Sequence, residues 1–188
     1  MAFDDRQFFK NSDKGDWQNA TNALQTAFNF GFFRGFFDSR TQALGAINTP
    51  QPITLNNSFG SYGVSVVDET KITFANPGDY TLTYVASVSN LSESSQDSFF
   101  WIKFNGSDYA NSTTEITVPA RKNPGVPSSQ LLTITFVGTA PAAGNYVELY
   151  WYSTSTDVSL RSRAVGTTPV TPASPSIMVS VAQVGAVR

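Results

Sequence analysis

From Thr49 onward, apolar and polar residues alternate with a period of two in short runs separated by turn residues, the pattern of half-buried strands. It is clearest where Tyr80, Leu82, Tyr84, Ala86 and Val88 share one face, while Thr81, Thr83, Ser87 and Ser89 share much of the other. Along the chain the alternation predicts strands over residues 53–57, 62–67, 70–75, 79–89, 98–105, 113–118, 130–138, 145–153, 158–164 and 176–184. Ten strands is the count of an all-β antiparallel sandwich. Asn105-Gly106 is the strongest hairpin signal between them, because both residues tolerate the positive φ of a type I′ turn. Pro77-Gly78-Asp79 marks a second turn, and Pro124, Pro127 and Pro141 punctuate loops. Thr167 to Pro175 (TTPVTPASP) is a short proline-rich crossing, and the chain contains no internal repeat.

One strand departs from the alternation. Val147, Leu149 and Trp151 oppose Tyr146, Glu148, Tyr150 and Tyr152, so both of its faces are apolar enough to be covered. A solitary sandwich shows water a polar face, so the second face is expected to meet a neighbouring subunit through Tyr146, Tyr150 and Tyr152. Arg161 and Arg163, two apart on a predicted strand, share a face. They are expected to pair with acidic residues of that neighbour, the alternative being a sialic or phosphate group.

Residues 1–48 have a different texture. Nine of the 15 Phe and ten of the 26 charged residues lie within residues 1–45. Asp16 is a good N-cap, and Trp17, Ala20, Leu24, Ala27 and Phe28 follow at helical spacing on one face, with the helix ending near Gly31. Phe30, Phe32, Phe33, Phe36 and Phe37 come next, a cluster that cannot stay exposed without risking aggregation. It is expected to act as an anchoring module (residues 1–48) ahead of the sandwich (49–188), with Trp17, Leu24, Phe28, Phe32, Phe33, Phe36 and Phe37 making the contact. The alternatives are ordinary core beneath the same sandwich or a membrane-surface helix, whose polar face would need a Lys/Arg excess absent here.

Charge narrows the partners. With 12 basic and 14 acidic residues the formal net charge is -2, which gives no electrostatic footprint for nucleic acid and no cationic field for a membrane. The acidic start, Met1-Ala2-Phe3-Asp4-Asp5, lacks an export signal, and no run approaches the roughly 18 apolar residues of a membrane span. The protein is therefore expected to remain in the cytoplasm where it is made, and the Asn-x-Ser/Thr triplets at Asn19, Asn56, Asn90, Asn105 and Asn111 to be chance.

The chain contains neither His nor Cys, which removes the usual general base, the usual nucleophile partners and the commonest transition-metal ligands. The closest carboxylate pairs, Asp4-Asp5 and Asp68-Glu69, are adjacent residues whose side chains diverge on a strand, and they are expected to be solvated charges. No D-x-D-x-D cluster offers calcium a cage. Gly31-Phe32-Phe33-Arg34-Gly35 lacks the Gly-Lys-Ser/Thr ending of a phosphate loop. Trp101 and Trp151, in register with Phe99 and Leu149, are expected in the core rather than as a sugar-stacking platform. No enzyme activity, metal or cofactor is expected.

Three stretches carry a resemblance: Phe100 to Ser112 (FWIKFNGSDYANS), Gly144 to Trp151 (GNYVELYW) and Pro175 to Val184 (PSIMVSVAQV). Together, over about residues 50–184, they resemble the trimeric jelly-roll domains that phages use as virion surface proteins. Asn145 stands where related sequences usually have Asp, and Phe104 where they have Lys or Arg. The resemblance implies a ten-stranded sandwich like the tumour-necrosis-factor and complement globular-head domains, assembled as a homotrimer. It also implies a structural virion protein of a bacteriophage, assembled in the host cytoplasm. A capsid decoration (cement) protein docked onto the major capsid protein, or another virion protein, by residues 1–48 fits the short chain without a fibre shaft. The alternative is a short tail-fibre or receptor-binding tip that binds host glycan.

Overall fold

Alternating sequence becomes strand over more than half of residues 34–59 and 63–185, which the computed structural model describes. The first half contains β1 (Arg34–Asp38), β2 (Gln42–Ala43), β3 (Gln51–Pro52), β4 (Asn57–Phe59), β5 (Val64–Val67), β6 (Lys71–Phe74), β7 (Gly78–Asn90) and β8 (Gln96–Phe104). The second half contains β9 (Ser107–Asp108), β10 (Thr114–Val118), β11 (Ser128–Ala140), β12 (Tyr146–Ser153), β13 (Val158–Leu160), β14 (Gly166–Thr167), β15 (Val170–Thr171) and β16 (Ile177–Gly185). No helix occurs among the described residues, so the described chain is all-β, and every strand pairing in it is antiparallel.

Two large sheets result. In the first, β7 pairs along its full length with β11. Its other edge pairs with β16 over most of its length and with β13 at the far end. Beyond β16 lie β1 and then β4. The second sheet runs β10-β8-β12-β6-β5, with β3 added to β12 and β9 to β8. The two-residue connection from β8 to β9 is the Asn105-Gly106 turn, with φ of 48° and 81° at the two residues.

The sheets share one apolar core. Tyr80, Leu82, Tyr84, Ala86 and Val88 of β7 point into it, as the alternation predicts, with Ile177, Val179 and Val181 of β16 beside them. Phe100 and Ile102 of β8 and Val147, Leu149 and Trp151 of β12 face them from the second sheet, and the Phe74 and Tyr80 rings meet across the layers at 4.3 Å. Each large side chain so buried contributes about 1.5–3 kcal/mol.

Two predicted strands change. Of the strand predicted over 53–57, residues 53–56 lie between β3 and β4, because Ile53 N donates to Leu149 O (2.8 Å) while Leu55 N donates to Glu69 O (2.7 Å), spreading its bonds over two partners. The strand predicted over 158–164 ends at Leu160.

The boundary expected at residues 48 and 49 is also corrected. β1 lies between β16 and β4, with Phe36 opposite Val179, and Phe36 is 1% exposed in the core. β2 pairs with β13, and Leu44 is buried in the same core. At the end of β1 the buried Asp38 carboxylate accepts from Arg40 Nε (3.1 Å), Arg40 Nη2 (2.9 Å), Arg40 N (2.8 Å) and Thr54 Oγ1 (2.7 Å). Arg40 Nη2 also donates to Glu69 Oε2 at 2.7 Å, tying this segment to the β5–β6 turn. Residues 34–48 therefore belong to the two-sheet body. The predicted helix and the expected anchors Trp17, Leu24, Phe28, Phe32 and Phe33 lie outside the described residues.

Candidate functional site

The outer face of the second sheet is an aromatic ladder built by register. Tyr152 stands opposite Phe99, Tyr150 opposite Trp101 and Glu148 opposite Lys103. The Phe99 and Tyr152 rings stack at 4.7 Å, and Trp101 lies 5.8 Å from Tyr150 and 6.0 Å, edge to face, from Tyr152. Trp101 Nε1 donates to Asp108 Oδ1 at 2.7 Å, and Lys103 Nζ sits 4.3 Å from the Tyr150 ring centroid. Trp151 takes the core position expected of it, but Trp101 points the other way and is excluded from the core cluster despite being only 9% exposed. Trp101, closed in by these neighbours, offers little open ring face for stacking a sugar.

The first sheet presents a different outer face. Register places its outward residues in rows across the strands: Leu131 and Ser87; Thr133, Val85, Met178, Phe37 and Asn57; Thr135, Thr83, Ser180, Gly35 and Phe59; Val137, Thr81 and Ala182. None of these carries a charge, and the one charge in the adjoining row of Thr139, Asp79 and Gly185 is Asp79, which accepts from Thr139 Oγ1. Leu131 and Val137 are each 71% exposed and Phe59 68%, and the Phe37 and Phe59 rings stack at 4.9 Å. β11, 13 residues long and free of Lys, Arg, Asp, Glu and Pro, forms the edge of this sheet among the described residues. Long, flat, uncharged edge strands are what monomeric β-proteins avoid, since the unpaired backbone groups and apolar face recruit other chains.

The residues expected at a subunit contact divide between two places. Tyr146, Tyr150 and Tyr152 lie half-buried on β12, where Lys71 and Lys103 sit over the rings of Tyr146 and Tyr150. Arg161 and Arg163 lie past the end of β13, at a concavity they share with Lys122. Of the expected anchors within the described residues, Phe36 is taken up by the core and is unavailable for docking, and Phe37 lies on the outer face of the first sheet. Reasoning strand by strand missed that face. Its signal was the absence of charge from residues 80–92, 123–147 and 164–187, stretches that register brings together as β7, β11 and β16.

The acidic pair expected to be solvated lies at a turn. Asp68 and Glu69 form the β5–β6 turn, and pair with Lys71 (2.8 Å) and Arg40 (2.7 Å). Among the described residues no three acidic groups converge on a metal site. Burial alone would raise the Asp38 carboxyl, but the hydrogen bonds from Arg40 and Thr54 outweigh it and hold the group below its ordinary value. Comparison with protein-family models and with curated proteins finds no match for this chain.

Proposed function

We propose that this chain is a structural protein of a bacteriophage virion, a trimeric jelly roll that decorates the capsid as a cement protein and docks through its N-terminal segment. The carrying observation is the outer face of the first sheet, uncharged apart from Asp79 at one end, together with its uncharged edge strand, β11, a surface suited to self-association. The order of the principal strands also supports a jelly roll. β4, β1, β16, β7 and β11 make one layer and β5, β6, β12, β8 and β10 the other. The chain crosses between layers from β6 to β7, β7 to β8, β10 to β11 and β11 to β12. The resemblance of the Phe100–Ser112, Gly144–Trp151 and Pro175–Val184 stretches to phage surface jelly rolls supplies the virion context.

A cement protein binds the assembled lattice and stabilises it by mass action at each site it fills. Quantitative mass spectrometry of purified virions should therefore find the chain in numbers comparable with the major capsid protein. Virions lacking it should rupture at lower temperature while adsorbing to cells normally. A few copies confined to the tail, with adsorption abolished by their removal, would assign the chain to a receptor-binding tip instead.

A further inference from the structure

Four basic side chains in the two-sheet body already have acidic partners. Arg40 pairs with Asp38 and Glu69, Lys71 with Asp68, Lys103 with Asp108 and Arg121 with Glu93. Lys122, Arg161 and Arg163 have none among the described residues, and all three line one concavity of about 580 Å3 whose wall contains no acidic residue.

The walls are fixed by backbone bonds. On one side Val126 N donates to Asn123 O (2.9 Å) and Lys122 N to Val126 O (3.1 Å), closing a turn in which Gly125 has φ +75° and open space where a Cβ would stand. On the other, Arg161 N donates to Ser87 O (2.7 Å), Ser162 N donates to Thr41 Oγ1 (3.1 Å), and Arg163 and Ser174 exchange two bonds of 2.9 Å. Both arginines thus project from pinned backbone rather than from a loose loop.

Three like charges line one concavity in a chain of net charge -2. An oxyanion seated among them would be attracted by all three. Guanidinium forks match phosphate oxygens two at a time, and an ammonium adds a third point of charge. Val126 and Pro127 add apolar surface beside the cations, and the volume is that of a small-ligand site.

We propose that this concavity binds a phosphate group, held by Arg161, Arg163 and Lys122, with the body of a phosphorylated small molecule lying over Val126 and Pro127. The inference stands on the fold of one copy and does not rest on the virion reading.

Calorimetric titration of the full chain with glucose 1-phosphate, inorganic phosphate and glucuronate tests it. Glucose 1-phosphate should bind, weakening as salt rises through the screening range, and glucuronate should bind more weakly. Tighter binding of the ester than of inorganic phosphate identifies a phosphorylated molecule as the ligand, and equal binding identifies the free ion. Arg161→Ala and Arg163→Ala should each weaken binding roughly tenfold or more, and Arg161→Lys by less, because charge survives but the fork is lost. Arg121→Ala, whose side chain is already paired with Glu93, should leave binding unchanged, and thermal unfolding of each variant checks that the fold is intact. Failure of both phosphates to bind, a preference for glucuronate, or equal loss in Arg121→Ala overturns the proposal. So does dissociation of an oligomer by the arginine variants without phosphate binding by the parent, which would assign these side chains to acidic groups on a second copy.

Discussion

Asp38 shows how much one side chain can organise at the residue scale. Its carboxylate is buried, receives four hydrogen bonds and anchors the end of β1 against the loop at Thr54 and, through Arg40, the turn at Glu69. Because its folded pKa lies below the ordinary value of 3.8, its contribution is fully present above that value and is lost as pH falls through the folded pKa. Urea unfolding at a series of pH values should thus show a loss of stability below about pH 4 that is smaller in Asp38→Asn. At neutral pH that variant should cost about 2–3 kcal/mol, since hydrogen bonds to a charged acceptor become bonds to a neutral one. An unchanged acid limb in the variant would show that other carboxylates control acid unfolding.

At the scale of elements, β1 separates the body from what precedes it. Phe36 fills the core and β1 bridges β16 and β4, so a deletion of residues 1–45 removes a central strand along with Phe36 and Leu44. Losing a buried Phe alone costs about 3–5 kcal/mol, a large part of a typical domain's 5–15 kcal/mol. That truncation is expected to aggregate or unfold. A deletion of residues 1–33 should instead leave a soluble β-rich protein with a cooperative thermal transition that no longer attaches to particles. Circular dichroism and a virion-binding assay on both truncations check this, and a well-folded 46–188 fragment would refute the assignment of β1 to the core.

At the scale of the whole molecule, the largely uncharged face and the edge strand β11 belong to one sheet, and the proposed trimer requires that a contact between edge and face close into a ring rather than an open filament. Sedimentation equilibrium at micromolar concentration should give three times the chain mass of 20.4 kDa. Val137→Lys places a charge on an exposed side chain of β11, where it leaves the core untouched. It should convert the trimer to a folded monomer, because a buried unpaired charge costs several kcal/mol at a contact. A parent protein that sediments as a monomer removes the trimer from the proposal.

The sequence by itself determined the strands whose neighbours in space matched their local pattern. The alternation at Tyr80–Val88 chose the inward face of β7, and Asn105-Gly106 chose its turn, because both are settled by period and φ within a few residues. At Phe99-Phe100-Trp101-Ile102 the pattern has no polar residue to break the tie, so only pairing with β12 decided that Phe100 and Ile102 face inward and Trp101 outward. β1 has glycine and paired Phe within it and no alternation, and its strand character comes from pairing with β4 and with β16 some 140 residues away, which no local window contains. The absence of charge from residues 80–92, 123–147 and 164–187 and the shared face of Arg161 and Arg163 are readable along the chain, but that the stretches build one face, and that Lys122 joins the arginines at one concavity, is decided only by the sheet that brings these segments together. Local periodicity fixes which side chains alternate; long-range register fixes which of them meet.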